Sequence, residues 1–305
     1  MNISRLTLKQ LEAFAAVNDA GSFRRAAELL ATTQSNVSGR IAALEALLGV
    51  RLMHRNAGSV RLTERGEVLL VKARAVLGAA DALLEAAGRR DAIGGRLRLG
   101  TTELVAATWL RAFLRRFRAV YPSVDVELGI DLSIEIARRL RDGECDLILM
   151  AGAEPASGPG DHDLGLEPFA WFAPPDIAKA LAPSPSLADL MPHSILTHSR
   201  HTTAVQDLLA VCAREGLPTH RIVCSSSGAS CLQMAEDGMG VALIPLAMAR
   251  GSVAQGALQQ IHPDWSPSPL NVLARFAPDR ATPVVLHSVK IAKEVAAEDR
   301  DFRSP

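Results

Sequence analysis

The chain has 305 residues, 48% of them apolar and 22% charged, with a formal net charge of zero. That length exceeds one ordinary domain, so two or three domains with sizeable cores are expected. The four cysteines form no CxxC motif, so no zinc module is expected, and neither metal nor cofactor is predicted. No run approaches the roughly 18 apolar residues of a membrane span, and no charged-then-apolar leader opens the chain. These features predict a cytoplasmic protein with reduced thiols and no membrane partner. The charge is uneven: residues 1–90 hold 13 Lys+Arg against 8 Asp+Glu, and the rest hold 20 against 25. A basic end joined to an acidic body fits nucleic-acid binding by the first part.

The predicted elements begin with a helix over Thr7–Asn18, burying Leu8, Leu11, Phe14 and Ala15. Phe23–Leu30 reads as a second helix with Ala26, Ala27, Leu29 and Leu30 as its apolar face, and Ala31-Thr32-Thr33 as a tight polar joint after it. A third helix starts at Gln34. Its Val37, Ile41, Leu44 and Leu48 recur at spacings of four, three and four, which makes one apolar stripe. Gln34, Ser35, Asn36, Ser38 and Arg40 are left at or near its exposed start, as in the recognition helix of a helix-turn-helix. Asn and Gln can bond adenine and Arg guanine, while serines can bond phosphates or bases. Ser35 also suits a helix cap. Arg51–Leu62 then reads as a short hairpin turning near Gly58, a wing that presents Arg55 and Arg61 to phosphates.

From about Thr63 to Ala87 a long helix is expected, with Gly88 as its stop. Leu69, Ala73, Val76, Ala80, Leu83 and Ala87 repeat in a 4-3-4-3-4 pattern, with Leu70, Leu77 and Leu84 beside them. This seam, roughly 25 Å long, calls for a partner helix. Leu69, Ala73, Val76, Leu77, Leu83 and Leu84 are the expected dimerisation residues, since a winged helix reads two half-sites as a pair.

All 17 prolines lie at or after Pro122, where the pattern changes. Strands are expected at Arg96–Gly100, Val124–Gly129 and Asp146–Met150, with helices at Leu104–Val120 and Ser133–Arg141 between them. A second series follows: strands Leu166–Ala173, His193–Thr197, Arg221–Ser225 and Val241–Pro245, with helices Thr202–Glu215 and Ala229–Asp237. Strand Pro269–Arg275 and helix Pro283–Glu298 close the chain. Two such series predict two α/β lobes with parallel sheets.

Several stretches match one family in order and register: Leu8 to Phe14, Gly21-Ser22-Phe23, Ala26-Ala27, Thr33-Gln34-Ser35, Val37-Ser38, Leu44-Glu45, Leu48-Gly49 and Leu62-Thr63-Glu64-Arg65-Gly66. On these residues the head resembles that of LysR-type transcriptional regulators, and the likeness continues more weakly to about residue 298. The resemblance implies double-stranded DNA as partner, with Gln34, Ser35 and Ser38 at the groove, and Thr33 is expected at the DNA beside them. Three positions depart from the family pattern: Asn36 replaces a small apolar residue, Gly39 a basic or polar one, and Met53 a phenylalanine. The resemblance also implies a periplasmic-binding-protein-like effector domain whose chain crosses between lobes near residue 166 and returns near 268. The expected domains are therefore a winged helix-turn-helix over 1–65, a linker helix over 66–90 and an effector domain over 91–305. Within the last, lobe I takes 91–166 and 268–305, and lobe II takes 167–267. By family analogy the chain forms a homodimer or homotetramer and recruits RNA polymerase.

Ligands of α/β sheets bind beyond the strands' carboxyl ends, at helix N-termini that favour anions. Thr101-Thr102-Glu103, Asp131-Leu132-Ser133, Thr197 to Thr202 and Ser225-Ser226-Ser227 stand at such places. The resemblance puts the effector pocket at the first three. Thr101, Thr102, Ser133, Ser199, Arg200 and Thr202 are therefore expected to hold a small organic anion, with Arg200 able to grip a carboxylate. Glu103 would repel such an anion unless His198 or Arg200 offsets it. An enzyme is not expected: no nucleophile elbow accompanies His162, His193, His198 or His201, and Gly238-Met239-Gly240 precedes a strand instead of following one. The alternatives are a solute-binding protein and a ligand-independent architectural DNA-binder.

Overall fold

Thr7 opens the first helix of the computed structural model, which describes residues 5–56, 59–152 and 154–301; the side chains of Arg55, Asn56, Ser59 and Asp301 also lie outside the description. The Thr7 hydroxyl accepts from Gln10 N–H and the Gln10 side chain accepts from Thr7 N–H, a reciprocal cap that starts α1 (Leu8–Ala20). Ser22 caps α2 (Phe23–Leu29) and Thr33 caps α3 (Gln34–Leu48). Strands β1 (Met53–Asn56) and β2 (Ser59–Leu62) pair antiparallel as the wing, and α4 (Glu64–Ala86) follows. The expected turn at Gly58 lies outside the described residues.

The head's core is built from Leu11, Ala13, Phe14, Val17, Phe23, Ala26, Ala27, Val37, Ile41, Leu44, Leu52, Met53, Leu70 and Ala73. Two expected core residues face outward. Leu8 is 45% exposed and Leu29 46%, while Ala13 and Val17 fill the α1 face instead. Met53 is buried, so the methionine packs where the family has a phenylalanine. Glu45 of α3 accepts from Leu52 N–H at 2.7 Å, which ties the recognition helix to the start of the wing.

Chain contacts divide the molecule into two compact units. One runs to Gly95 and includes Pro278–His287; the other comprises Arg96–Ala277 and the chain from Ser288. The second contains, in order, β3 (Gly95–Thr101), α5 (Glu103–Ala107), α6 (Leu110–Val120), β4 (Val124–Ile130), α7 (Ser133–Arg141), β5 (Leu147–Gly152), β6 (Asp161–Glu167), β7 (Phe169–Ala173), α8 (Pro175–Ala180), α9 (Leu187–Leu190), β8 (Ile195–Thr197), α10 (Thr203–Glu215), β9 (Ile222–Cys224), α11 (Gly228–Glu236), β10 (Val241–Pro245), α12 (Arg250–Ala254), β11 (Gln259–Ile261), β12 (Leu270–Arg275) and most of α13 (Pro283–Asp301).

Two five-stranded sheets result, ordered β4-β3-β5-β12-β6 and β11-β7-β10-β8-β9. They are mixed and not purely parallel: β3–β5, β8–β9 and β8–β10 are parallel, whereas β12 pairs antiparallel with β5 and β6, and β7 with β10 and β11. The expected strand Leu166–Ala173 is two strands in two different sheets, divided at Pro168, which has no N–H to continue a ladder. The expected helix Leu104–Val120 is also two. Thr108 leaves helical geometry, its hydroxyl bonds back to the Leu104 carbonyl at 2.7 Å, and Trp109 is buried at the break. The strands β6 and β11 and helices α8 and α9 carry no periodicity strong enough to stand out in the sequence.

Candidate nucleic-acid interface and interlobe site

The start of α3 is polar because its apolar stripe begins only at Val37. Gln34, Ser35 and Asn36 are exposed, and Ser38 and Arg40 are half-buried. The residue that caps this helix is Thr33 and not Ser35: Thr33 Oγ1 accepts from Asn36 N–H at 3.2 Å. Ser35 Oγ lies 2.9 Å from Thr33 Oγ1, and Asn36 Nδ2 donates to Thr32 Oγ1 at 3.1 Å. The joint is therefore a small hydrogen-bonded cluster that orients the amide of Asn36. Gln34, Ser38 and Arg40 make no side-chain hydrogen bond among the described residues. Arg61 is exposed on β2. Arg55 lies on β1 opposite Val60, and its side chain is outside the description.

The long helix does not present the whole expected seam. Ala73 is buried in the head's core beside Leu70, and Leu69 and Leu77 pack partly against it. The α1 and α4 helices pack together, and Arg74 of α4 pairs with Asp19 of α1. Val68, Val76 and Leu83 are the outward apolar residues, Leu83 at 72% exposure. Leu84 is half-buried. The heptad pattern is thus split, with Ala73 turned inward and Val76 and Leu83 outward.

In the body, several expected ligand groups are already used by the fold. Thr101 is fully buried and its hydroxyl donates to the Leu149 carbonyl at 2.9 Å. Ser133 Oγ donates to the Ala151 carbonyl at 2.6 Å, and Thr202 Oγ1 to the Ser199 carbonyl at 2.8 Å. An anion needs hydrogen-bond donors, and these three hydroxyl protons are engaged, so Thr101, Ser133 and Thr202 are not anion donors in this arrangement. Thr102 Oγ1 instead accepts from Ala151 N–H at 3.3 Å, which leaves its proton free. Ser199 is half-buried and Arg200 exposed.

The fourth polar cluster meets Glu103, a pairing that sequence reasoning missed. Glu103 Oε1 accepts from Ser227 Oγ at 2.8 Å and from Ala229 N–H at 3.3 Å; Oε2 accepts from Gly228 N–H at 2.7 Å. His198 Nε2 stands 3.7 Å from Oε2. Burial alone would raise this carboxyl, but the neighbouring His198 and the hydrogen bonds from Gly228, Ser227 and Ala229 outweigh it and hold it at about 2. The carboxylate is thus ionised at neutral pH. The signal in the sequence was only a serine run before a helix, with nothing linking it to a glutamate 124 residues earlier.

All four thiols are pushed up by burial, Cys231 to about 11 with Glu103 and Cys224 adding to the effect. No helix among the described residues is long and apolar enough to cross a membrane.

Comparison with known proteins follows the same division of the chain. Residues 8–67 match the model of the bacterial regulatory helix-turn-helix protein, lysR family, and residues 90–297 that of the LysR substrate binding domain. A probable hydrogen peroxide-inducible genes activator of Streptomyces viridosporus is 33% identical over 246 residues, spanning 78% of this chain and 77% of that one. Its counterpart in Mycobacterium leprae is 31% identical over 78% of each chain. Among solved structures, a full-length OxyR variant from Pseudomonas aeruginosa superposes with a TM-score of 0.64 at 24% identity, covering 95% of this chain and 94% of that chain. ArgP from Mycobacterium tuberculosis does so with a TM-score of 0.62 at 24% identity, covering 94% and 96%.

Proposed function

The chain belongs to the LysR family of DNA-binding transcriptional regulators, and from that premise we propose how its own residues carry the work. Two copies pair through the outward residues Val76 and Leu83 of α4, with Leu69, Leu77 and Leu84 flanking. Each places α3 in a major groove, where Gln34 and Asn36 read bases and Ser35, Ser38 and Arg40 hold phosphates or bases. Arg55 and Arg61 of the wing hold neighbouring phosphates. The observation that supports this reading is the capped, exposed start of α3, where Asn36 is oriented by Thr32 and Gln34 is left free.

A small organic anion acts as effector in the body, gripped by Thr102, Ser199 and Arg200. Binding one body conformation better than another shifts their populations, by no more than that difference in affinity. The shift re-spaces the paired heads and alters recruitment of RNA polymerase in the cytoplasm. The experiment is a thermal-shift panel of small carboxylates on the full chain, followed by footprinting with any that bind. A saturable shift with an altered footprint supports the effector role; a flat response across the panel removes it.

A further inference from the structure

Glu103 opens α5 in one lobe, and its carboxylate sits at the start of α11 in the other. The N-terminus of a helix carries unpaired N–H groups and the positive end of its dipole, which together favour an anion. Here that anion is supplied by the chain itself. Three donors meet it: Ser227 Oγ, Gly228 N–H and Ala229 N–H, at 2.8, 2.7 and 3.3 Å. Ser227 is also the cap of α11, accepting from Ser230 N–H at 3.2 Å while it donates to Glu103. Beside the carboxylate, His198 Nδ1 is buried without a hydrogen-bond partner among the described residues. A buried polar atom left unpaired is costly, and one standing beside a carboxylate held across two lobes marks a place arranged for more than packing.

We propose that Glu103 is a built-in ligand that latches the two lobes together in the effector-free protein, and that an effector carboxylate acts by competing for its donors on α11. This rests on the proposed reading of a small organic anion as effector: once Glu103 leaves, the α11 donors add to the grip of Thr102, Ser199 and Arg200. Two carboxylates cannot both be ionised on the same donors, because like charges about 3 Å apart repel strongly. Latch and ligand are therefore mutually exclusive. Displacement breaks four contacts between the lobes at once, which is how a ligand of a few atoms changes the preferred lobe arrangement. The proposal also accounts for the position of a negative side chain inside a site expected to take an anion. Glu103 repels a ligand carboxylate only for as long as it holds the seat.

The test is chemical rescue. Glu103→Ala removes the carboxylate and leaves its donors in place. Full-length wild type and E103A are unfolded thermally across a sodium acetate series, with sodium chloride at matched ionic strength as control. E103A is expected to melt lower than wild type and to recover by at least about 3 °C with acetate, saturably, a shift that corresponds to occupancy well above half. Wild type is expected to stay flat. A folded E103A that ignores acetate overturns the proposal, as does a wild type that responds equally. Should E103A not fold, Glu103→Gln keeps the shape without the charge. It is expected to change the DNA footprint without any effector, and an unchanged footprint overturns the latch. Because rescue is read on stability, its failure is separable from failure of the regulator reading, which would appear as loss of selective DNA binding by wild type.

Discussion

Gly66, in the first turn of α4, lies flush against the carbonyl oxygen of Leu52: a Cβ added there would stand 2.1 Å from that oxygen. The same Leu52 donates its N–H to Glu45 of α3, and the Thr63 hydroxyl that caps α4 donates to the Arg51 carbonyl at 2.8 Å. The joint between recognition helix, wing and long helix is therefore a backbone contact that only glycine allows. It gives a physical reason for the Leu62-Thr63-Glu64-Arg65-Gly66 run.

Gly66→Ala is accordingly expected to destabilise the head by about 2–3 kcal/mol, since the obstacle is backbone and cannot rotate away. Denaturant unfolding followed by far-ultraviolet circular dichroism measures it. A change below about 0.5 kcal/mol would mean that the joint is loose.

On DNA, Gln34→Ala and Asn36→Ala are expected to relax sequence choice, each by about 1–3 kcal/mol at the affected base pair. Arg61→Ala is expected to weaken binding to all sequences alike and to flatten the salt dependence by about one phosphate contact. Titrations of specific and random duplexes at several salt concentrations separate the two. Equal losses on both duplexes for Asn36→Ala would remove that residue from base reading.

Asp81 on α4 is raised to about 6, first by burial and then by the charge of Glu12 on α1. Its folded value lies above the unfolded one of 3.8. The stability it contributes is thus fully present below about pH 4 and lost as pH rises through 6. Asp81→Asn is expected to stabilise the protein by about 1–2 kcal/mol at pH 7.5 and by almost nothing at pH 4. Melting curves of both proteins at the two pH values check this, and an equal gain at both would point to packing instead of charge.

Glu103 has the opposite sign. Its folded value of about 2 lies below 4.5, so its contribution is present above about pH 4.5 and lost as pH falls through 2. The stability gap between wild type and E103Q should be constant above pH 5, at most about 3 kcal/mol, and close toward pH 2. A gap that ignores pH would mean the carboxylate's charge does not matter.

The relatives named for hydrogen peroxide-inducible genes invite a thiol test. Cys231 is buried, donates to the Thr197 carbonyl at 3.1 Å and is pushed up to about 11. At pH 7.5 roughly one Cys231 in a thousand or fewer is thiolate, the reactive form. Alkylation of the native chain followed by mass spectrometry should show slow labelling of all four cysteines, and one thiol labelled within seconds would contradict this.

The winged head and two α/β lobes were legible because their patterns are local: the 4-3-4 stripe of α3, the stop of the long helix at Gly88, and alternating strand and helix runs. What stayed hidden depended on long-range pairing. Pro168 divides one apolar run between two sheets, and Ala73 turns inward because the head needs it. The Thr101 and Ser133 hydroxyls look available until the carbonyls of Leu149 and Ala151 are seen to take them. The union of Glu103 with Ser227 joins two lobes, and no spacing announces it.

Regulation by this chain depends on sequence-specific recognition by α3 and the wing. Its most direct test is to incubate the purified full chain with fragmented genomic DNA at physiological salt and to sequence what it retains. A few sharp sites sharing an inverted repeat, with half-sites set by paired heads, are expected. Diffuse recovery that vanishes with a modest rise in salt would contradict it, leaving charge-driven binding to any duplex.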